Sequence, residues 1–281
     1  MKPAQVVALA NQKGGVGKTT TAVNSAAALA ERGFRVLLID VDPQGNATSS
    51  LGIEKTDLDG TVYDVLVDEA PFDEVALAEV RPGLDLLPST PALAAAEVEL
   101  VGMAQRERRL AQACKAVDQT YGVVVIDCPP SLGLLTVNAL TAARHVVIPI
   151  QCEFLALEGV SQLITTIDLV KRRLNPQLDV LGVLMTMFDS RTRLSAHVVE
   201  EVRRFFPDRI FDTVVPRSVR LAEAPSYGQA IAEYDPASRG GVAYRAFAGE
   251  LIARLGLDTP ANGSTPPQPN ATLPLTDHAA R

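Results

Sequence analysis

The fold of this chain is decided by the stretch KGGVGKTT, which runs from Lys13 through Gly14, Gly15, Val16, Gly17, Lys18 and Thr19 to Thr20. An apolar run, Val6 to Ala10, precedes it, and an alanine-rich segment of helical period follows it. Glycines let the backbone curl so that consecutive N–H groups point inward, and the next helix adds its positive N-terminal end. Strand, loop and helix in this order predict a phosphate-binding loop rather than an incidental glycine-rich turn.

Two side chains of this loop are expected to act on a bound nucleotide. Lys18 would reach the terminal phosphates as a point charge, and the hydroxyl of Thr19 would bind the Mg²⁺ that bridges them. The first glycine of the general pattern G-x-x-x-x-G-K-[ST] is missing, and Lys13 lies in the loop itself. If Lys13 does not fold back onto its own nucleotide, it can reach the nucleotide of a facing subunit, as an arginine finger does. The loop therefore favours a dimer formed around ATP.

Acidic residues end two of the apolar runs. Asp40 and Asp42 follow the run that starts at Val36, and Asp127 follows Val123 to Ile126. Ligands of open α/β folds bind at this edge of the sheet, where two acids suit a Mg²⁺ site. Asp-Pro also occurs in simple turns, and an aspartate often ends a strand, so both structural alternatives stay open.

Short β-branched runs alternate with segments of helical period as far as about residue 257, which predicts an α/β fold. Several runs are apolar at consecutive positions, as in parallel strands covered by helices on both faces. The predicted strands are Val6–Ala10, Val36–Asp40, Leu84–Leu87, Val123–Asp127, His145–Ile150, Val180–Met187 and Ile210–Val214. The predicted helices are Lys18–Arg32, Thr61–Asp68, Gln105–Ala116, Thr136–Ala143, Leu157–Leu174, Ser195–Phe206 and Ala237–Leu255.

Composition sets limits on the class of protein. The 281 residues are 47% hydrophobic and 21% charged, with a net charge of −7, so DNA could bind only at a local basic patch. Three widely spaced cysteines argue against a disulfide framework or a zinc site. No apolar run approaches the roughly 20 residues that span a bilayer, and no secretory signal is found. We expect a cytoplasmic ATPase domain over residues 1–257 and a disordered, proline-rich tail over 258–281.

Five motifs, together with the loop, resemble the ParA-type chromosome and plasmid partition ATPases of the ParA/MinD superfamily, which carry a deviant Walker A loop. They are LLIDVDPQGNAT (residues 37–48), VVVIDCPPSLG (123–133), QCEFLALEGV (151–160), TMFDSRT (186–192) and VPRSVRLAEAPSYG (215–228). The loop and the first two motifs identify the superfamily, and the last two favour the partition branch. The resemblance covers nearly all of the chain except the tail.

The resemblance implies a role for each candidate site residue. Asp42 would orient or activate the attacking water, with Lys13 and Lys18 as catalytic lysines, and Asp40 and Asp127 would support Mg²⁺. Pro216 and Arg217 match the turn that holds adenine in relatives, although a plain loop proline is the alternative. Adenine is also favoured because the Asn-Lys-x-Asp signature of GTPases is absent. No strong general base is evident, so hydrolysis should be slow.

The resemblance further implies DNA segregation by an ATP-dependent homodimer that binds double-stranded DNA without reading its sequence. Arg191 and Arg220 are the best candidates for phosphate contacts in a locally arginine-rich segment, and Lys171 to Arg173 form a second basic cluster. Either set of charges could also be only a solvated face. A ParB-type centromere-binding protein would stimulate hydrolysis, and the protein would associate with the nucleoid rather than a membrane.

Other classes remain as alternatives. A MinD-like division-site ATPase would need a C-terminal amphipathic helix with a basic face, whereas the sequence after Leu257 is polar and proline-rich. An iron protein of the nitrogenase type would need cysteines in a matching motif, which Cys114, Cys128 and Cys152 do not provide. A metabolic P-loop ligase or kinase would need a pocket for a small acceptor molecule.

Overall fold

The computed structural model describes residues 3–154 and 156–258. Apart from Asp258, the predicted tail lies outside the described residues, so its disorder and the domain boundary stay predictions. Eight strands form one sheet: β1 (Gln5–Leu9), β2 (Val36–Asp40), β3 (Leu77–Arg81), β4 (Leu84–Leu87), β5 (Val123–Asp127), β6 (His145–Gln151), β7 (Asp179–Phe188) and β8 (Ile210–Pro216). Their order is β3-β4-β2-β5-β1-β6-β7-β8. All neighbours are parallel except β3 and β4.

The described residues form twelve α-helices, of which nine lie between strands and three follow β8. They are α1 (Lys18–Ala30), α2 (Asn46–Ser50), α3 (Val62–Val67), α4 (Phe72–Val75), α5 (Leu93–Glu99), α6 (Arg109–Ala116), α7 (Leu134–Ala142), α8 (Val160–Arg173), α9 (Arg193–Phe205), α10 (Val219–Glu223), α11 (Ile231–Tyr234) and α12 (Arg239–Leu255). None of the helices within the described residues has both the length and the apolar character needed to cross a membrane.

The sheet is covered on both faces, as the apolar runs predict. In β5, Val123 and Val125 pack into the core formed with α1 and α12, whereas Val124 and Ile126 pack into the core on the opposite face. Successive side chains of a strand point to opposite faces, so a strand buried on both must be apolar throughout. The predicted α/β fold with helices on both faces is therefore confirmed.

The structure differs from the predicted elements in a few places. The helix predicted from Gln105 begins only at Arg109, because Gln105 has a φ of 53°, outside the range of a right-handed helix. The helix predicted from Leu157 begins at Val160, because Gly159 has a φ of 77°. Strand β3 and the short helices α2, α4, α5, α10 and α11 were not predicted.

The strand register brings the acidic residues together. Asp40 at the end of β2 pairs with Asp127 at the end of β5, and Asp127 also pairs with Leu9 at the end of β1. Strands β5 and β6 flank β1, and the phosphate loop follows β1 directly. The carboxyl ends of parallel strands thus place the loop and both acids at one edge of the sheet.

Candidate functional site

The phosphate loop has the backbone shape that its glycines predict. Gly15 and Gly17 have φ values of 72° and 88°, in the left-handed region that favours glycine. Gly17 is also the N-cap of α1, and no side chain caps that helix end. A Cβ atom on Gly15 would meet no atom within 4 Å, so the space above the loop is open. The free N–H groups of the first turn are therefore available to an anion.

Lys18 lies at the base of the loop with a side chain that is almost completely buried. Its Nζ donates a hydrogen bond to the carbonyl oxygen of Lys13 at 3.1 Å. Burial lowers the pKa of Lys18, while the charges of Asp127 and Asp42 oppose that shift. A buried ammonium with few anionic partners is well prepared to bind phosphate oxygens.

Neighbouring strands hold the loop in place. The Thr186 hydroxyl, on β7, donates to the carbonyl of Val16 at 2.8 Å. The Asn11 amide donates to the carbonyl of Pro149 at 2.7 Å and accepts the backbone N–H of Lys13 at 3.0 Å. Sequence reasoning missed Thr186 and Asn11 as supports of the loop. Their positions at the ends of apolar strands were the one available signal.

Asp127 and Asp40 lie side by side and are both fully buried. Both carboxylate oxygens of Asp127 accept no hydrogen bond from the described residues. Burial raises the pKa of Asp127 well above its usual range, and the Asp40 charge adds to the shift, while the nearby Thr19 hydroxyl opposes it. A buried carboxylate without donors beside a threonine hydroxyl fits a divalent cation, as the sequence predicts for Thr19, Asp40 and Asp127.

Asp40 differs from Asp127 in that its oxygens are occupied. It accepts hydrogen bonds from the backbone N–H and the hydroxyl of Thr48, at 2.9 and 2.8 Å, and from the backbone N–H of Asp42. Burial raises the pKa of Asp40, and these hydrogen bonds partly offset that. Asp40 therefore organises the turn after β2 in addition to lying beside Asp127.

Asp42 lies on the turn that follows β2. Its Oδ1 accepts the backbone N–H of Gln44 at 2.9 Å, and its carbonyl accepts the hydroxyl of Ser89 at 2.8 Å. Asp42 is 6% exposed. The turn that the Asp-Pro pair predicts is therefore present. The same carboxylate also lies close enough to Lys18 for its charge to raise the pKa of that lysine.

A cavity of about 250 Å³ connects the phosphate loop with the predicted adenine turn. Pro216 and Arg217 line it, and so do Gly17 and Thr20 of the loop region. Met187, Leu221 and Tyr244 are among the lining residues that sequence reasoning did not assign to this site. Met187 has a φ of 51°, an uncommon backbone state for a side chain of this kind. The cavity thus has apolar walls and lies next to the phosphate site, as a nucleoside requires.

Lys13 and Lys18 lie in different surroundings. Lys13 lines an open cleft of about 430 Å³ together with Gln12, Glu158, Gly159, Ser161 and Gln162. Lys13 takes part in none of the salt bridges among the described residues. The two lysines of the loop therefore have different locations: Lys18 lies at the base of the loop, and Lys13 lies at its outer side.

The predicted DNA-binding arginines are both on the surface and both paired with acids. Arg191 donates to Asp189 with two nitrogens, at 2.9 and 2.7 Å, and its side chain is 85% exposed. Arg220 pairs with Glu223 at 3.0 Å and with Asp235 at 3.5 Å. In the second basic cluster, Lys171 pairs with Asp179, and its two neighbouring arginines end α8 exposed to solvent.

Comparison with known proteins agrees with this geometry. A family model described as an AAA domain matches residues 4–180. The sporulation initiation inhibitor protein Soj of Bacillus subtilis is 56% identical over 249 residues, covering 89% of this chain and 98% of that protein. The chromosome partitioning protein ParA of Myxococcus xanthus is 52% identical over 256 residues, covering 91% and 89%.

One solved structure of related sequence is named as a synthase rather than as a partition protein. It is described as cobyrinic acid a,c-diamide synthase from Mycobacterium smegmatis with bound ADP and magnesium. It is 40% identical, covers 94% of this chain and 98% of that one, and has a TM-score of 0.80. Since Soj and ParA are more similar and match nearly end to end, the family predicted from the motifs is confirmed, and this chain belongs to the ParA-type family of P-loop partition ATPases.

Proposed function

We propose that this chain is a DNA-segregation switch that pairs around ATP and Mg²⁺, binds DNA as that pair and separates after hydrolysis. The observation that carries the proposal is the placement of Lys13. Lys13 lines an open cleft outside the loop, whereas the ammonium of Lys18 lies at the base of the loop. A second copy facing this cleft would bring its triphosphate to Lys13, and the attraction between opposite charges would stabilise the pair.

Within one subunit, each residue of the site has a separate task. The loop amides and Lys18 bind the phosphates, and the cavity beside Pro216 and Arg217 binds the adenosine. Thr19, Asp127 and, through its neighbour, Asp40 would hold Mg²⁺, which neutralises charge that develops on the phosphates. Asp42 orients the attacking water. Most of the rate would come from positioning and charge neutralisation, so turnover is slow enough to act as a timer.

Binding to DNA would follow from pairing. The two candidate arginines of one subunit, Arg191 and Arg220, are each paired with nearby acids. Two copies held together present twice the number of phosphate contacts, and the second set binds at high effective concentration. ATP thus controls DNA affinity, and the paired form would reside on the nucleoid. A ParB-type centromere-binding protein would shorten the lifetime of that form by stimulating hydrolysis.

Sedimentation of the purified protein tests the proposal. We expect a monomer without nucleotide and with ADP, and a dimer with Mg²⁺ and a non-hydrolysable ATP analogue. Duplex DNA should co-sediment only with the dimer. A chain that stays monomeric with the analogue, or that binds DNA equally well without it, contradicts the proposal.

Lys13→Ala is the informative variant, with Lys115→Ala, an exposed lysine of α6, as its matched control. The first should bind ATP and fail to dimerise, whereas the second should behave as wild type. A dimer of Lys13→Ala with the analogue would exclude the role of this lysine across the interface.

The amide synthase name of the 40% identical structure supports a second candidate, an ATP-dependent enzyme with a small-molecule substrate. Such an enzyme would hydrolyse ATP at a rate that depends on its acceptor and not on DNA. Measuring ATP hydrolysis with and without duplex DNA therefore separates the two candidates, because only the partition ATPase should respond to DNA.

A further inference from the structure

One short segment of the chain touches both loops that carry the predicted chemistry. This bridge segment, residues 89–97, leaves the end of β4 and continues into α5. Its first residue contacts the turn of Asp42, and its last residue contacts the loop after Asp127. No motif of the sequence marked it.

Ser89 forms the first contact. It is fully buried, and its hydroxyl donates to the carbonyl of Asp42 at 2.8 Å. Its backbone N–H donates to the hydroxyl of Thr48 at 2.9 Å, and that hydroxyl donates in turn to Asp40 at 2.8 Å. Ser89 therefore starts two branches: its hydroxyl holds the backbone carbonyl of Asp42, and its backbone N–H leads through the Thr48 hydroxyl to the Asp40 carboxylate.

The turn of Asp42 also packs directly against Ser89. Gly45, which ends the turn, has a φ of 58°, and a Cβ atom built on it would lie 2.6 Å from the carbonyl oxygen of Ser89. Only a glycine permits this close approach. The position of the turn is thus fixed by steric contact as well as by hydrogen bonds.

Glu97 forms the second contact. Its Oε1 is buried, accepts no hydrogen bond from the described residues, and fills the space that a Cβ atom on Gly133 would occupy. Gly133 is the N-cap of α7, and no side chain caps that helix. A carboxylate is attracted to the positive amino end of a helix. Glu97 therefore lies directly against the end of the loop that begins at Asp127.

We infer that Ser89 and Glu97 are positioning residues that align the two loops for hydrolysis. Ser89 acts through Asp42, and Glu97 acts through the loop between Asp127 and α7. Because both lie on one bridge segment, a shift of either loop is transmitted to the other. This inference rests on the proposed function, since it takes Asp42 to act on the attacking water.

The hydroxyl of Ser89 is tested with two variants of nearly equal shape. Ser89→Thr keeps the donor and should retain most of the activity, whereas Ser89→Val lacks it. For Ser89→Val we expect kcat to fall about 10- to 100-fold, as for a misplaced catalytic group, with the Kd for ATP unchanged. Equal activities of the two variants, or a loss confined to ATP affinity, would overturn the role of Ser89.

The contact of Glu97 is tested from both sides. Glu97→Gln removes the charge, and Gly133→Ala displaces the carboxylate without changing Glu97. Both should lower kcat with little change in the Kd for ATP. Glu99→Gln is the matched control, because Glu99 is exposed and accepts a hydrogen bond from Tyr63 instead. A Gly133→Ala variant with wild-type kcat would contradict the positioning role of Glu97. This result can be read even if Ser89→Val fails to fold.

Coupling is tested by combining Ser89→Val with Glu97→Gln. If one segment aligns both loops, the double variant should lose no more kcat than the more damaging single variant. Losses that multiply would show two independent supports and overturn the coupling. Failure of the proposed function is seen separately, because wild type would then show no DNA response, or Asp42→Ala would hydrolyse ATP normally.

Discussion

Asp42 combines a turn contact with the predicted action on water, and one pair of variants separates the two. Asp42→Asn keeps an oxygen to accept the N–H of Gln44 but loses the charge, whereas Asp42→Ala loses both. If the carboxylate acts on water, both variants bind ATP and lose hydrolysis by about 100-fold or more, measured as phosphate release. Each should also remain on DNA with ATP. Normal hydrolysis by Asp42→Asn would show that Asp42 only stabilises the turn and does not act on water.

Asp189 opposes the predicted DNA contact of Arg191. The two side chains form a bidentate pair, and the hydrogen bonds from the side chain and the backbone N–H of Arg191 keep the pKa of Asp189 far below its usual range. Asp189 is therefore fully charged at neutral pH. Asp189→Asn should tighten DNA binding by the ATP-bound form, and Arg191→Ala should weaken it.

The measurement for Asp189 is DNA affinity at several salt concentrations. Arg191→Ala should reduce the slope of log affinity against log salt by about one, as for one lost phosphate contact. Asp208→Asn, which removes an exposed acid from the loop after α9, is the control. If Asp208→Asn tightens binding as much as Asp189→Asn, the effect is one of net charge alone.

Individual site residues could be predicted where a local pattern names them. The loop glycines, Lys18 and Thr19 follow from the spacing alone, and Asp127 follows from its place after an apolar run. Ser89, Glu97 and Thr186 could not be found in this way. Their partners lie far away in the sequence, and apart from the place of Thr186 near the end of an apolar strand, nothing in the residues beside them signals the contact.

At the level of elements, the end of β7 supports the phosphate loop. The Thr186 hydroxyl is buried and donates to the carbonyl of Val16. Thr186→Val keeps the shape but leaves that carbonyl without its donor, which should cost about 1 kcal/mol of stability and weaken ATP binding. Isothermal titration with ATP and thermal unfolding measure both effects.

Thr165→Val on the exposed face of α8 is the control and should change neither. Unchanged ATP affinity in Thr186→Val would show that this hydrogen bond does not support the phosphate loop.

The elements that sequence reasoning found are those whose burial is uniform. Strands such as β2 and β5 are buried at every position, so their apolar runs are unmistakable. Strand β3 is partly exposed at every residue and pairs antiparallel at the edge of the sheet. Its sequence, LAEVR, has no such run, and the short helices α2, α10 and α11 are too brief for a helical period to be visible.

At the level of the whole molecule, a buried ionic cluster lies near the amino ends of the strands. Asp85 of β4 is 3% exposed and accepts hydrogen bonds from Arg35, Tyr121 and the backbone N–H of Glu79, each at 2.7 Å. Asp85→Ala would leave the buried Arg35 guanidinium with only the more distant carboxylate of Glu79, at 3.6 Å. It should lower the free energy of unfolding by about 3 kcal/mol.

Denaturant unfolding measures that loss, and ATP affinity below the melting temperature should stay unchanged because the nucleotide site lies at the opposite edge. Asp59→Ala, an exposed loop acid, is the control and should change stability by less than about 0.5 kcal/mol. Equal unfolding curves for the two variants would show that the cluster does not stabilise the fold.

The position of β5 between β1 and β2 has a consequence for synthesis on the ribosome. A nascent chain that has emerged only to Gly122 contains both outer strands of this trio but not the one that joins them. Before Asp127 has left the exit tunnel, the centre of the sheet cannot assemble. The Asp127 carboxylate also cannot take its buried position beside the phosphate loop. The apolar strands β1 and β2 therefore stay without their shared neighbour while the first 120 or so residues emerge, and a chaperone that shields apolar strands would act in that interval.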